Sequence, residues 1–161
     1  MSNKRLKRNA LQGRVIQKKE TTFSELLVPF PMYSERVMPG SDQVIAYPLL
    51  EVNVALSKKN LSGIFVVDIL LVTSLFNRSV GNQLNNKTIV KRGIDVPPTA
   101  SKPILRVDFA PTIENLARYV YTKVRPAFAR TLERRNIQLD YVTATTTIGK
   151  ASFGRRRPSS S

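Results

Sequence analysis

The sequence predicts an α+β fold, and three observations carry that prediction. Leu50, Val52, Val54 and Leu56 lie on one side of an extended segment, with Glu51, Asn53 and Ala55 on the other. A period of two is what a half-buried strand requires. Ile113, Leu116, Ala117, Val120, Val124 and Phe128 recur at helical spacing and form a single apolar face. The third observation is the order of elements: strand, strand, strand, helix, loop, helix, strand, without an internal repeat.

Each element has a local reason. Residues 23–30, FSELLVPF, read as a first strand ended by Pro29 and Pro31. A turn-rich stretch follows, broken most clearly at Pro39-Gly40-Ser41-Asp42. Residues 44–56 form the alternating strand, residues 58–63 a hairpin connection, and residues 64–69 the returning strand. Residues 70–84 fit a helical stripe through Leu71, Leu75, Phe76, Val80 and Leu84, with Gly81 arguing for an early end. Residues 86–107 are a long connection with a short strand near 104–107. Asp108 and Thr112 are the capping residues of the main helix, Pro111 stands at its entrance and Glu114 in its first turn. Pro126 should end or kink that helix near Arg125, with residues 127–135 continuing at an angle and residues 137–147 forming a last strand.

The 161 residues suit one domain, and an apolar fraction of 42% is enough for a core. With no cysteine and no histidine, disulfides, thiolate chemistry and the common zinc-ligand sets are excluded. The longest apolar run, residues 64–72, is interrupted by Asp68 and is far shorter than the ~20 residues of a membrane span. No apolar signal segment is read at the start, so an intracellular location, cytoplasmic or nucleoid-associated, is expected.

Charge is the strongest compositional signal. Lys4, Arg5, Lys7, Arg8, Arg14, Lys18 and Lys19 precede the first acid, and Lys150, Arg155, Arg156 and Arg157 close the chain. These two ends carry +11 of the net +15. They divide the chain into a basic arm (1–20), an α+β domain (21–149) and a basic, serine-rich tail (150–161). Concentrated like charge opposes compaction and favours a polyanion partner, RNA or DNA. A pair of merely solubilising tails is the alternative.

The segment PTIENLARYVYTKVRPAF, residues 111–128, resembles the helix signature of the 6-pyruvoyltetrahydropterin and 6-carboxytetrahydropterin synthase family, in which Pro-Thr-x-Glu-Asn-Leu-Ala opens the helix. LLEVNVAL, LSGIFVVDI, GNQLNN and IQLDYVTATTT are similar to its other motifs in the same order, so that the resemblance covers residues 44–147. It implies a tunnelling fold: a small antiparallel sheet backed by two helices, with subunits joining their sheets edge to edge into an oligomeric barrel, and the strands around residues 50–56 and 137–145 are expected to be the pairing edges. It also implies departures. The family's three zinc histidines align near Leu27, Ala46 and Pro48, its Asp-His pair near Val80 and Gly81, and its late glutamate near Thr143 or Ala144. No metal or other cofactor is therefore expected, and catalysis is not.

Other constellations point elsewhere or nowhere. Asp68 reads as a strand end or helix cap rather than a lone catalytic acid. Tyr119, Tyr121 and Tyr141 beside Arg118, Lys123, Arg125, Arg130, Arg134 and Arg135 suit either a nucleic-acid surface or core tyrosines beside a solvated face. No phosphate loop, dinucleotide fingerprint or Ser-His-Asp set is present. Three functions follow. The first is a non-catalytic oligomer holding nucleic acid through its tails. The second is a small viral coat protein, placing the chain in a virion. The third is a metal-independent enzyme that binds a purine or pterin with Glu114 as pocket anchor.

Overall fold

The computed structural model describes residues 15–18, 23–58 and 67–155. In chain order the first elements are β1 (Val15–Lys18), β2 (Phe23–Pro31), β3 (Glu35–Val37), β4 (Ile45–Ala46) and β5 (Glu51–Lys58). Then come α1 (Ile69–Phe76), a π-helical turn (Asn77–Gly81), α2 (Asn82–Leu84), β6 (Thr88–Lys91) and β7 (Ile104–Val107). The last are α3 (Ile113–Leu132), a 3-10 turn (Glu133–Arg135), β8 (Ile137–Thr146) and β9 (Gly149–Gly154). The expected returning strand and hairpin connection fall largely on residues 59–66, outside the described residues.

The main sheet is antiparallel, with strand order β1-β2-β5-β8-β9. Alternation sets its register. Leu26, Val28 and Phe30 face the core opposite Leu56, Val54 and Val52, and the last two stand opposite Val142 and Ala144 on β8. Between Ala55 and Leu56 the register shifts, leaving Asp140 as the extra residue of a bulge. The helices cover this apolar face. From α3, Leu116, Ala117, Val120, Val124, Phe128 and Leu132 are buried, as the helical spacing requires. From α1, Phe76 stacks on Phe30 with ring centroids 3.8 Å apart.

Several expectations need correction. Pro126 does not end α3, which continues to Leu132. Pro126 and Thr122 are both exposed, so water can satisfy the carbonyl the proline cannot serve. Meanwhile Phe128 and Leu132, each 1% exposed, anchor the final turns. Gly81 does not end the preceding helix either. A Cβ there would collide with Asn77 Oδ1 and approach the Phe76 ring to 3.0 Å, so glycine lets the π-helical turn close. Asp108 is no cap of α3. Its carboxylate accepts a 2.6 Å bond from Arg92 Nε, and Thr112 alone caps, accepting from Asn115 N at 3.2 Å. Lastly, residues 50–56 and 137–145 were expected at sheet edges, but β5 and β8 are central and the edges are β1 and β9. Residues 149–154, read mainly as tail, place Phe153 edge-on to Tyr121 at 5.5 Å.

The stretch 86–107 holds two strands rather than one. β6 and β7 pair in parallel, β6 pairs in parallel with β3, and β4 closes the far edge of this second, four-stranded sheet. Asp68 does cap α1, accepting from Leu70 N at 3.0 Å and Leu71 N at 3.2 Å. Asp68→Ala is expected to lower stability by about 1 kcal/mol, measurable as a shift in urea midpoint with unchanged slope. Among the described residues, no helix is long and apolar enough to cross a membrane.

Candidate functional site

Three local assemblies bear on function. The first lies where β3, β4 and the entrance of α3 meet. Pro111, one residue before the cap, offers its carbonyl to Tyr47 Oη at 2.6 Å and to Arg36 Nη1 at 3.3 Å. The Arg36 guanidinium lies 4.7 Å from the centre of the Tyr47 ring, and its Nε is buried without a hydrogen-bond partner. Burial pushes the Tyr47 hydroxyl well above its ordinary range, against the opposing effect of Arg36. Tyr47 therefore stays neutral and donates. Ala46 and Pro48 flank it, and Leu27 stands 41% exposed on β2. None of these three has a side-chain donor for a metal. Val80 and Gly81 are buried and carry no proton-transfer group, while Thr143 Oγ1 is bonded to Ser152 Oγ at 2.8 Å. Among the described residues, no three His, Cys, Asp or Glu side chains converge on one point.

The second assembly surrounds Glu35, which is 9% exposed. Its carboxylate accepts from Thr88 Oγ1 at 2.6 Å, Ser101 N at 3.0 Å and Ser101 Oγ at 3.3 Å. Burial alone would raise its pKa. The bonds from Thr88 and Ser101, with the Lys102 charge, outweigh burial and hold it below the ordinary carboxylate value. Its hydrogen bonds run to strand and loop, so this carboxylate ties the loop before β7 to β3 and β6.

The third is a cleft of about 290 Å³ lined by Phe30, Pro31, Met32, Asn77, Gly81, Asn82 and Asn85. Three carboxamides and no charged side chain line it. Asn85 Oδ1 accepts from Tyr33 N at 2.8 Å, which leaves its Nδ2 as the free donor. Such a cleft can bind a neutral, hydrogen-bonding group. It has no general acid or base.

Of the residues expected to bind nucleic acid, Lys4, Arg5, Lys7, Arg8, Arg14, Lys19, Arg156 and Arg157 lie outside the described residues. Lys18 ends β1. Arg155 donates to Leu139 O at 3.3 Å and approaches Glu133 to 3.9 Å. Glu114 is exposed in the first turn of α3 and does not line the cleft. Tyr121 and Tyr141 are buried, as a core role requires, and Tyr119 is half-buried with Lys123 Nζ 5.5 Å from its ring centre. Sequence reasoning missed Arg36, Glu35 and the asparagine cleft. Glu35 and Arg36 sit in a segment without periodicity, the asparagines lie off the apolar stripe of residues 70–84, and all gain meaning only from segments distant in sequence.

Comparison with known proteins agrees with this architecture. The chain is similar in fold to an uncharacterized protein from Wolinella succinogenes, with a TM-score of 0.64 at 13% identity over 83% of this chain and 99% of that one. The 6-pyruvoyl tetrahydropterin synthase of Plasmodium vivax matches with a TM-score of 0.60 at 17% identity, over 84% and 99% of the two chains. That of Plasmodium falciparum matches with a TM-score of 0.57 at 12% identity, over 81% and 96%. No curated protein matches in sequence. The family model described as 6-pyruvoyl tetrahydropterin synthase matches residues 49–154, about two thirds of the sequence, and the chain belongs to that family.

Proposed function

We propose that this member of the family does not carry out zinc-dependent pterin chemistry and serves as an oligomeric, nucleic-acid-binding structural protein. The observation that carries the first half is the set Leu27, Ala46 and Pro48, with the fixed cation of Arg36 over the ring of Tyr47, the residue between the last two. Zinc requires nitrogen, sulfur or oxygen ligands at ~2.0–2.3 Å, and a neighbouring guanidinium repels a divalent ion. These residues do not fit the metal. The second half rests on the cationic ends, which suit phosphate neutralisation. Assembly is favoured by the edges β1 and β9, since an open edge presents unpaired backbone groups to another chain.

One observation favours a second reading. The cleft at Asn77, Asn82 and Asn85 could take a purine or pterin without a metal, as part of a metal-independent enzyme.

The test is direct. Elemental analysis is expected to find no stoichiometric zinc, and light scattering a particle larger than one chain. Duplex binding should weaken with salt at a log–log slope of about −5 if six tail cations engage phosphates. Removing residues 1–14 and 156–161, which spares β1 and β9, should flatten that slope. One zinc per subunit, or saturable pterin binding with turnover, would replace this reading with an enzymatic one.

A further inference from the structure

We propose that the solvent face of α3 and the 3-10 turn after it docks the phosphodiester backbone of duplex nucleic acid. The proposal rests on the nucleic-acid reading above. It places binding on the cations of α3 and its following turn, in addition to those that precede Glu20 or follow Gly149.

Arg118, Lys123, Arg125, Arg130, Arg134 and Arg135 are all exposed. The opposite side of α3 is fixed in the core by Leu116, Val120, Val124 and Phe128, so the cations cannot turn away from solvent. Among the described residues, none of the six pairs with a carboxylate. Glu133, within the stretch, lies 3.9 Å from Arg155, and Glu114, one turn before Arg118, makes no ion pair with it among the described residues. Two of the six rest on aromatic rings rather than on acids: Arg118 lies 5.3 Å from the Phe153 ring centre and Lys123 5.5 Å from that of Tyr119. The solvent face thus carries cations without carboxylate partners on its two flanks, Arg118 and Arg125 on one and Lys123, Arg130 and Arg134 on the other, and a polyanion relieves their mutual repulsion.

Its dimensions suit a duplex. Residues 118–135 span about 25 Å at ~1.5 Å per residue, the length of about seven base-pair steps at ~3.4 Å each. Between the cations the exposed side chains are Thr122, Pro126 and Ala129. None is a large apolar group of the kind that anchors an interfacial helix in lipid, so an anionic bilayer is the poorer match. Nor does this stretch of α3 expose an asparagine or glutamine to read bases. Contacts should therefore position the protein without selecting sequence.

The experiment uses the full chain and two unrelated 20-base-pair duplexes across a salt series. Replacing four cations together (K123Q, R125Q, R130Q, R134Q) is expected to make the log affinity–log salt slope shallower by about 3–4 for both duplexes. The charge-keeping set R125K, R130K, R134K should bind like the parent, and thermal melts should match because every changed side chain is exposed. An unchanged slope in the fourfold variant overturns the proposal. So does stronger binding to phosphatidylserine vesicles than to duplex, lost in the same variant. A chain lacking residues 1–14, measured in parallel, separates the two readings. If only that deletion flattens the slope, the α3 proposal fails. If only the fourfold variant does, the tail reading fails and the helix face stands.

Discussion

Replacing Phe76 by alanine is expected to cost about 3–5 kcal/mol of unfolding free energy, a large share of the ~5–15 kcal/mol typical of a domain. Phe76 is fully buried and stacks on Phe30, with ring planes 5° apart. It joins the end of α1 to the inner face of β2, and its ring also lies against Gly81 in the π-helical turn. Alanine removes this contact and leaves a void that neither a sheet strand nor a helix pinned at Asp68 can fill by a small shift. Urea denaturation measures the loss. Phe76→Leu should recover more than half of it, because leucine refills most of the volume. A loss below 1 kcal/mol for the alanine variant would mean that the Phe30–Phe76 stack is not part of the folded state.

Glu35 carries the second large effect. Glu35→Ala should destabilise by about 2–3 kcal/mol, since it strips the acceptor from a buried hydroxyl and a backbone N–H. Thr88 Oγ1 has a fallback acceptor in Lys102 O at 3.3 Å, whereas Ser101 N donates to Glu35 Oε2. Glu35→Gln keeps one acceptor and should cost less. The pH dependence has a definite sign. The folded pKa lies below the ordinary value, so the stabilisation is fully present above the unfolded pKa of ~4.3. It is lost as pH falls through the folded value. The stability gap between the parent and Glu35→Gln should hold from pH 7 to pH 5 and narrow below about pH 4. A gap that widens on acidification would show that this carboxylate is not held ionised by Thr88 and Ser101.

Elements whose cause is local are legible in the amino-acid order. Alternation through Val52 and Val54 specified the inner face of a strand, because side chains of a strand alternate whatever lies beside it. Helical spacing from Ile113 to Phe128 specified which face of α3 is buried, and Thr112 and Asp68 specified two helix starts by supplying oxygens to free N–H groups. The family was legible for the same reason, since Pro111 to Ala117 sits at one such start.

Which strands lie at the edges, whether Pro126 breaks its helix, and what surrounds Glu35 and Arg36 depend on long-range contacts. Strand order depends on pairings between distant segments, as between β5 and β8, and no local pattern records them. Pro126 is tolerated because burial of Phe128 and Leu132 outweighs a lost hydrogen bond on the wet side of the helix. Glu35 and Arg36 are adjacent in sequence, yet one is bonded by Thr88 and Ser101 while the other donates to Pro111 and lies over the Tyr47 ring. On a strand, neighbouring side chains point to opposite faces, and what each face meets is set by the rest of the chain.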